Sequence, residues 1–143
     1  MAAQSFENHT KLVPAFHFVV LPIFAANLVF RVVRLVHGVT WDTAFDLLLA
    51  VAFALGALYG RLFALTVQDR VIRLEMKLRL ERLLPADLRA RVAEFSLGQL
   101  VSMRFAGDAE LPELARKVLE DKIEDRKAIK RMVRDWQPDW LRA

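Results

Sequence analysis

The chain has no cysteine, which removes two classes at once: a disulfide-stapled scaffold and a thiolate-based zinc or redox centre. Glycine and proline are scarce, at five each in 143 residues, and 55% of the residues are hydrophobic, so a disordered chain is excluded. Charge is missing where apolar residues are densest. Residues 1–67 hold seven charged side chains (Glu7, Lys11, Arg31, Arg34, Asp42, Asp46 and Arg61), and residues 68–143 hold the other 31. Both the apolar and the charged fractions exceed those of an ordinary soluble domain. A chain can carry both only by segregating them, and this one reads as a small membrane protein with a polar tail.

Leu12 to Phe30 carries no formal charge, and the apolar character continues to Val36. A second apolar run, Leu47 to Val67, contains only Arg61, placed to snorkel toward headgroups. Each run meets the roughly 20 residues that a bilayer-crossing helix needs. The sequence therefore predicts a transmembrane hairpin over 12–67, with spans at about 12–36 and 43–67 and Trp41 at the interface. A cleaved leader is disfavoured, because Lys11 is offset by Glu7, the apolar run is long, and no small-x-small site follows it. Lys and Arg are more numerous on the side of Lys11, Arg61, Arg70 and Arg73 than on the turn side, where Arg31 and Arg34 lie. Both termini, including segment 1–11, are thus expected in the cytoplasm. Arg31 and Arg34 precede the turn by about the distance at which Asp46 and Asp42 follow it, so Arg31–Asp46 and Arg34–Asp42 ion pairs are expected within the membrane. Pro22 is expected to kink the first span. Ala52, Gly56, Gly60 and Ala64 recur every fourth residue and mark a helix-packing face, either within the chain or between copies.

No glycine or proline interrupts the chain between Arg61 and Leu84, so the second span is predicted to continue outward as an amphipathic stalk over 68–84. The stalk carries two apolar seams. Ile72, Met76, Leu80 and Leu83 form one, and Val67, Val71, Leu74 and Leu78 lie roughly opposite. Two seams call for two partners. One is the chain's own tail; the other is a second subunit or another membrane protein, unless the tail wraps both sides. Residues 85–143 read as a small helical cytoplasmic domain. Its expected features are a helix from Ala86 to Phe95, a Ser96–Gln99 capping box, Asp108 as an N-cap, and a helical stretch to about Trp136 broken near 121–125. The fold class is therefore all-α.

Three histidines, His9, His17 and His37, lack metal-ligand spacing, and no phosphate-binding loop, HExxH or nucleophile elbow occurs. No metal or cofactor is expected. The run of Lys127, Lys130, Arg131 and Arg134 reads as a cationic helix end with a solvated face, or as a patch facing anionic lipid. Nucleic acid is not an expected partner, because the tail mixes 17 basic with 14 acidic side chains. Gln68, Asp69, Arg70 and Arg73 sit where the stalk leaves the bilayer, with His9 and His17 approaching from the first span. This collar either fixes depth, with Asp69 paired to Arg73, or recognises headgroups or a partner.

Several stretches resemble a small bacterial membrane-protein family catalogued as a domain of unknown function. They are Asn8-His9, Val13-Pro14 and Phe16-His17-Phe18; Leu65 to Glu75, with Gln68-Asp69-Arg70 and Arg73; Gln99-Leu100-Val101 and Arg104-Phe105-Ala106; Asp108 to Pro112; Ile129-Lys130; and Trp136 to Asp139. The resemblance implies a bacterial inner-membrane hairpin with a cytoplasmic tail, and no activity. The function expected is a non-enzymatic accessory, scaffold or assembly subunit whose partners are lipid and a second copy or another membrane protein. A lipid-responsive regulator using the basic tail is the second reading. An enzyme with a site near His9, His17 and Arg70 is the third.

Overall fold

A computed structural model describes residues 4–9 and 12–140. The elements are helical: a π-helical turn Ala15–Val20, α1 Leu21–His37, α2 Trp41–Leu83, α3 Ala86–Arg89, a 3₁₀ turn Val92–Glu94, α4 Leu97–Met103, α5 Leu111–Glu120 and α6 Arg126–Met132. Among the described residues the only β pairing is an isolated bridge between Ala106 and Trp136. The fold is all-α, as the sequence predicts. Two compact units divide the chain, residues 12–65 and residues 4–9 with 66–140.

The first unit is a helical hairpin. Pro22 does not break its first helix. Proline lacks an N–H, and its ring crowds the carbonyl four residues back. The preceding turn widens to π geometry, with Leu21 N–H bonding to Phe16 O, and α1 begins with the proline in its first turn. At the other end, Thr40 and Thr43 cap α2 reciprocally, each backbone N–H bonding to the other's hydroxyl, and the Thr43 hydroxyl donates to Gly38 O at 2.9 Å. The Arg61 guanidinium lies 5.7 Å from the Phe16 ring, and Arg31 pairs with Asp46. Fifteen residues separate Phe16 from Arg31 and Asp46 from Arg61, so both contacts belong to one antiparallel register. The half-buried positions of the first helix, such as Val20, Phe24, Leu28 and Leu35, share one face; Phe18, Ile23, Val29 and Val36 point away and are exposed.

The second unit builds a conventional core. α2 supplies Ile72, Met76 and Leu80, and Leu84 follows just past its end at the same four-residue spacing; all four are buried. Leu84, one residue beyond the expected seam, takes the core position, and Leu83 packs at its edge. α2 stops at Leu83 because a residue preceding proline, here Leu84 before Pro85, is disfavoured in the α region. Residues 86–95 are not one helix. α3 ends at Arg89, and a 3₁₀ turn follows, an arrangement that still buries Leu88, Val92 and Phe95. Leu100, Met103, Phe105, Leu111, Val118 and Ile129 complete a core whose members are almost fully shielded. α4 opens on the expected capping box, with Ser96 Oγ accepting from Gln99 N–H at 3.3 Å and Gln99 Oε1 accepting from Ser96 N–H at 2.8 Å.

The expected long C-terminal helix is two short ones. α5 ends with Lys122 in the left-handed region (φ 49°) and Ile123 N–H returning to Val118 O at 3.1 Å, a Schellman closure. The Asp125 carboxylate then caps α6 by accepting from Lys127 and Ala128 N–H. α6 ends at Met132, not near Trp136, because the chain turns to lay Asp135–Gln137 along Phe105–Gly107. A β-carbon at Gly107 would collide with the Asp135 side chain where it now lies.

Candidate interaction surfaces

Polar side chains of the second unit converge where α2, the 104–108 loop and residues 135–139 meet. Arg79 projects from α2 and donates to three acceptors: Asp108 (2.7 Å), Arg104 O (3.2 Å) and Ala106 O (2.6 Å). Asp108 therefore serves as a counter-ion to Arg79 and Arg82. The α5 N-cap position falls to Glu110 instead, because the Asp108 side chain is turned to the stalk. Glu110 in turn accepts from the backbone N–H groups of Arg134 (3.0 Å) and Asp135 (3.1 Å). An open depression of about 230 Å³ beside it, lined by Glu113, Lys117, Arg131 and Arg134 among others, mixes charges of both signs.

The N-terminal segment docks on this region. Buried Gln4 accepts from Trp136 Nε1–H (3.3 Å) and Asp139 N–H (2.9 Å) and donates to Asp139 O (3.3 Å). His9 stacks on Phe6 and meets Phe105 and Trp136, which are themselves stacked with centroids 4.4 Å apart. Its Nδ1 lies 2.6 Å from Phe6 O and its Nε2 lies 3.0 Å from Lys130 Nζ. A carbonyl only accepts and an ammonium only donates, so the ring carries its proton on Nδ1 and accepts at Nε2. Arg104 lies over Phe105 (4.2 Å) and bonds to Asp139 (3.0 Å). The stretches that carry the family resemblance, Asn8-His9, Arg104 to Ala106, Ile129-Lys130 and Trp136 to Asp139, thus meet in one cluster. Sequence reading placed His9 in the juxtamembrane collar and missed this clasp. His9 lies 121 residues from Lys130 and Gln4 lies 132 from Trp136, and the only trace of the clasp was that these fragments recurred in the resemblance.

The other expected site residues are placed as follows. His17 belongs to the hairpin unit, where Nδ1 sits 3.2 Å from Val13 N and 2.9 Å from Val13 O. Asp69 and Arg73 have no ion pair with each other among the described residues, and Arg70 and Arg73 are exposed. Gln68 and Asp69 are half-buried. Arg31 pairs with Asp46 as expected, but Arg34 also turns to Asp46 (3.1 Å), and Asp42 has no ion pair among the described residues. The hairpin register explains the change, because it sets Asp42 opposite Leu35. Lys127, Arg131 and Arg134 are exposed, with Arg131 over the Phe6 ring (5.3 Å). Lys130 faces His9. Among the described residues no group of three or more His, Asp or Glu side chains has the geometry to hold a metal ion.

The two stalk seams differ sharply. The Ile72 seam is buried in the core. The other is open, with Val67 60%, Val71 49%, Leu74 60% and Leu78 59% exposed. The small-residue stripe is open as well: Ala52, Gly56, Gly60 and Ala64 are all exposed, and a β-carbon on either glycine would meet nothing within 4 Å. In the second unit, guanidinium hydrogen bonds hold two exposed carboxylates below their usual range, Asp87 through Arg116 (2.8 Å) and Glu94 through Arg91 (2.8 Å).

The description of a family of unknown function, DUF6526, matches residues 1–143. No curated protein and no solved structure matches the chain.

Proposed function

The chain belongs to this family of unknown function, which lends it no activity, and we propose from its geometry a non-enzymatic integral membrane protein that serves as a scaffold or assembly subunit through helix–helix contacts. The observation that carries the reading is the open seam of Val67, Val71, Leu74 and Leu78 on a helix whose opposite face is buried by its own tail. Exposed apolar area costs about 25 cal/mol per Å² in water, so a regular apolar stripe beside a completed core is a surface suited to a partner.

Membrane integration is supported by two helices, Ala15–His37 and Trp41–Leu83, long and apolar enough to cross a bilayer, with large side chains such as Phe18, Phe30, Phe53 and Phe63 turned outward. In lipid those side chains are in their preferred solvent. The surplus of Lys and Arg outside the hairpin turn favours both termini on the cytoplasmic side of a bacterial inner membrane, the location that the resemblance implies. The finer pairing of Arg31 and Arg34 on Asp46 then supplies counter-charge near the outer interface.

The test is alkaline carbonate extraction of native membranes, followed by native mass spectrometry after mild detergent release. Retention in the carbonate pellet, together with ions heavier than one chain plus lipid, is expected. Release into the carbonate supernatant would overturn the membrane reading, and a strictly monomeric ion at every concentration would overturn the helix-contact reading.

A further inference from the structure

The open seam has a regular spacing. Val67, Val71, Leu74 and Leu78 alternate steps of four and three, the heptad spacing of a coiled coil, with Val71 and Leu78 at a positions and Val67 and Leu74 at d positions. In the same register Arg70 and Lys77 fall at g, and Glu75 falls at e. At the centre of the seam, Val71 at a followed by Leu74 at d is the combination that favours two parallel strands, whereas Val67 at d and Leu78 at a reverse it, so the seam leaves the direction to the flanking charges. Carried back along the sequence, the spacing falls on Ala64 and Gly60, residues small enough for close backbone approach.

The flanking charges select both partner and direction. In a parallel pair, a g residue faces the e residue of the next heptad on the other helix. Arg70 would then meet Glu75, attractively and twice, once on each side of the two-fold axis. An antiparallel pair would set Arg70 against Lys77, two cations, also twice. Arg70 and Glu75 are both exposed, and neither has an ion pair among the described residues. The next g–e step would oppose Lys77 and Arg82, but Arg82 is drawn to Asp108 of its own chain (3.4 Å), which ends the seam at Leu78. Copies inserted in one membrane with one topology present this helix in parallel, so the direction that the charges favour is the one available.

We propose that a second copy of this chain covers the seam, with the two α2 helices parallel and in register over Val67–Leu78 and with Arg70 of each copy paired to Glu75 of the other. The inference rests on the helix-contact reading above and names the partner for it.

Because the chain has no cysteine, single introduced thiols report cleanly. Full-length Val71→Cys and Leu74→Cys variants, in native membranes under a mild oxidant, are each expected to form a disulfide-linked species of twice the chain mass. A parallel, in-register pair places every seam residue against its own copy, whereas an antiparallel pair does so only at its two-fold axis. Arg73→Cys, exposed but off the seam, is expected to remain monomeric. Arg70→Glu in the Val71→Cys background is expected to lower the cross-linked yield at least about threefold, and Arg70→Glu with Glu75→Arg to restore it. Failure of both seam thiols to link to their own copies, in protein that still integrates, overturns the self-pairing. If bifunctional thiol reagents then attach Val71→Cys to a different protein, identified by mass, the helix-contact reading stands and only the partner is wrong. If nothing attaches, both readings fall. Linking of Val71→Cys to Leu74→Cys in mixed membranes, without either homodimer, would establish the antiparallel arrangement and overturn the parallel one.

Discussion

The hairpin unit and the tail unit use similar apolar side chains to opposite ends. In the tail, Leu80, Leu100, Phe105, Leu111 and Ile129 are wholly shielded, and polar groups such as Arg79 and Gln4 are spent on joining elements. In the hairpin, Phe18, Ile23, Phe53 and Phe63 are largely exposed, and among the described residues the contacts joining its two helices include Arg61 with the Phe16 ring near one end and an ion-pair cluster on Asp46 near the other. A packed core is how a chain responds to water. An outward apolar face with polar contacts at the ends is what a helix pair in hydrocarbon would show, and it supports the membrane proposal. The difference teaches that hydrophobicity alone does not say where a side chain goes: similar residues are shielded in one unit and turned outward in the other.

The largest expected effect attacks this comparison directly. Phe105→Ala removes a fully buried ring stacked on Trp136 and is expected to destabilise the tail by about 3–5 kcal/mol. Phe63→Ala, at a largely exposed position, is expected to change stability by less than about 1 kcal/mol. Hydrogen exchange of α4 and α5 in micelles reads the first, and exchange along α2 reads the second. Equal losses would erase the distinction between the units. Next, Arg79→Ala strips the 104–108 loop of three hydrogen bonds, two of them to backbone carbonyls, and is expected to cost about 2–3 kcal/mol, seen as lost protection in that loop with the hairpin unaffected.

Smaller effects sharpen the picture of the tail. Lys122→Gly relieves a left-handed backbone at the end of α5 and is expected to raise tail stability by up to about 1 kcal/mol in a denaturant melt. The smallest effect is with pH. Asp87 and Glu94 have lowered pKa values in the fold, so their contribution is complete above the unfolded-state values near about pH 4 and is lost as pH falls through the lowered ones. Both lie at the surface, so the loss of tail stability on acidification is expected to be slight. A carboxyl titration followed by carbon NMR checks it, with both midpoints expected below the values of unstructured peptides.

Much of the architecture was legible from the residues. The two apolar runs and the uninterrupted stretch from Arg61 to Leu84 predict two long helices, and the second does continue to Leu83 without a break. The Ser96 capping box is a local signal and holds, because its partners lie three residues apart. Asp108 misled for the opposite reason: it looks like a cap in sequence, but Arg79 and Arg82, more than twenty residues earlier, claim its carboxylate. Arg34 was matched to Asp42 by counting from the turn, and one residue of register was enough to send it to Asp46. His9 was read by its distance along the chain from the first span, whereas stacking on Phe6, Phe105 and Trp136 holds it in the tail unit.

Composition and period by themselves determined the all-α class, the two apolar helices and the presence of two seams on the stalk, because these follow from solvent preference and from the 3.6-residue turn. Only the tertiary structure decided which seam the tail covers, which acid each arginine takes, and that Gln4 and His9 clasp the far end of the chain. Those outcomes depend on which side chains long-range packing brings within hydrogen-bond reach, and local sequence carries no record of that distance.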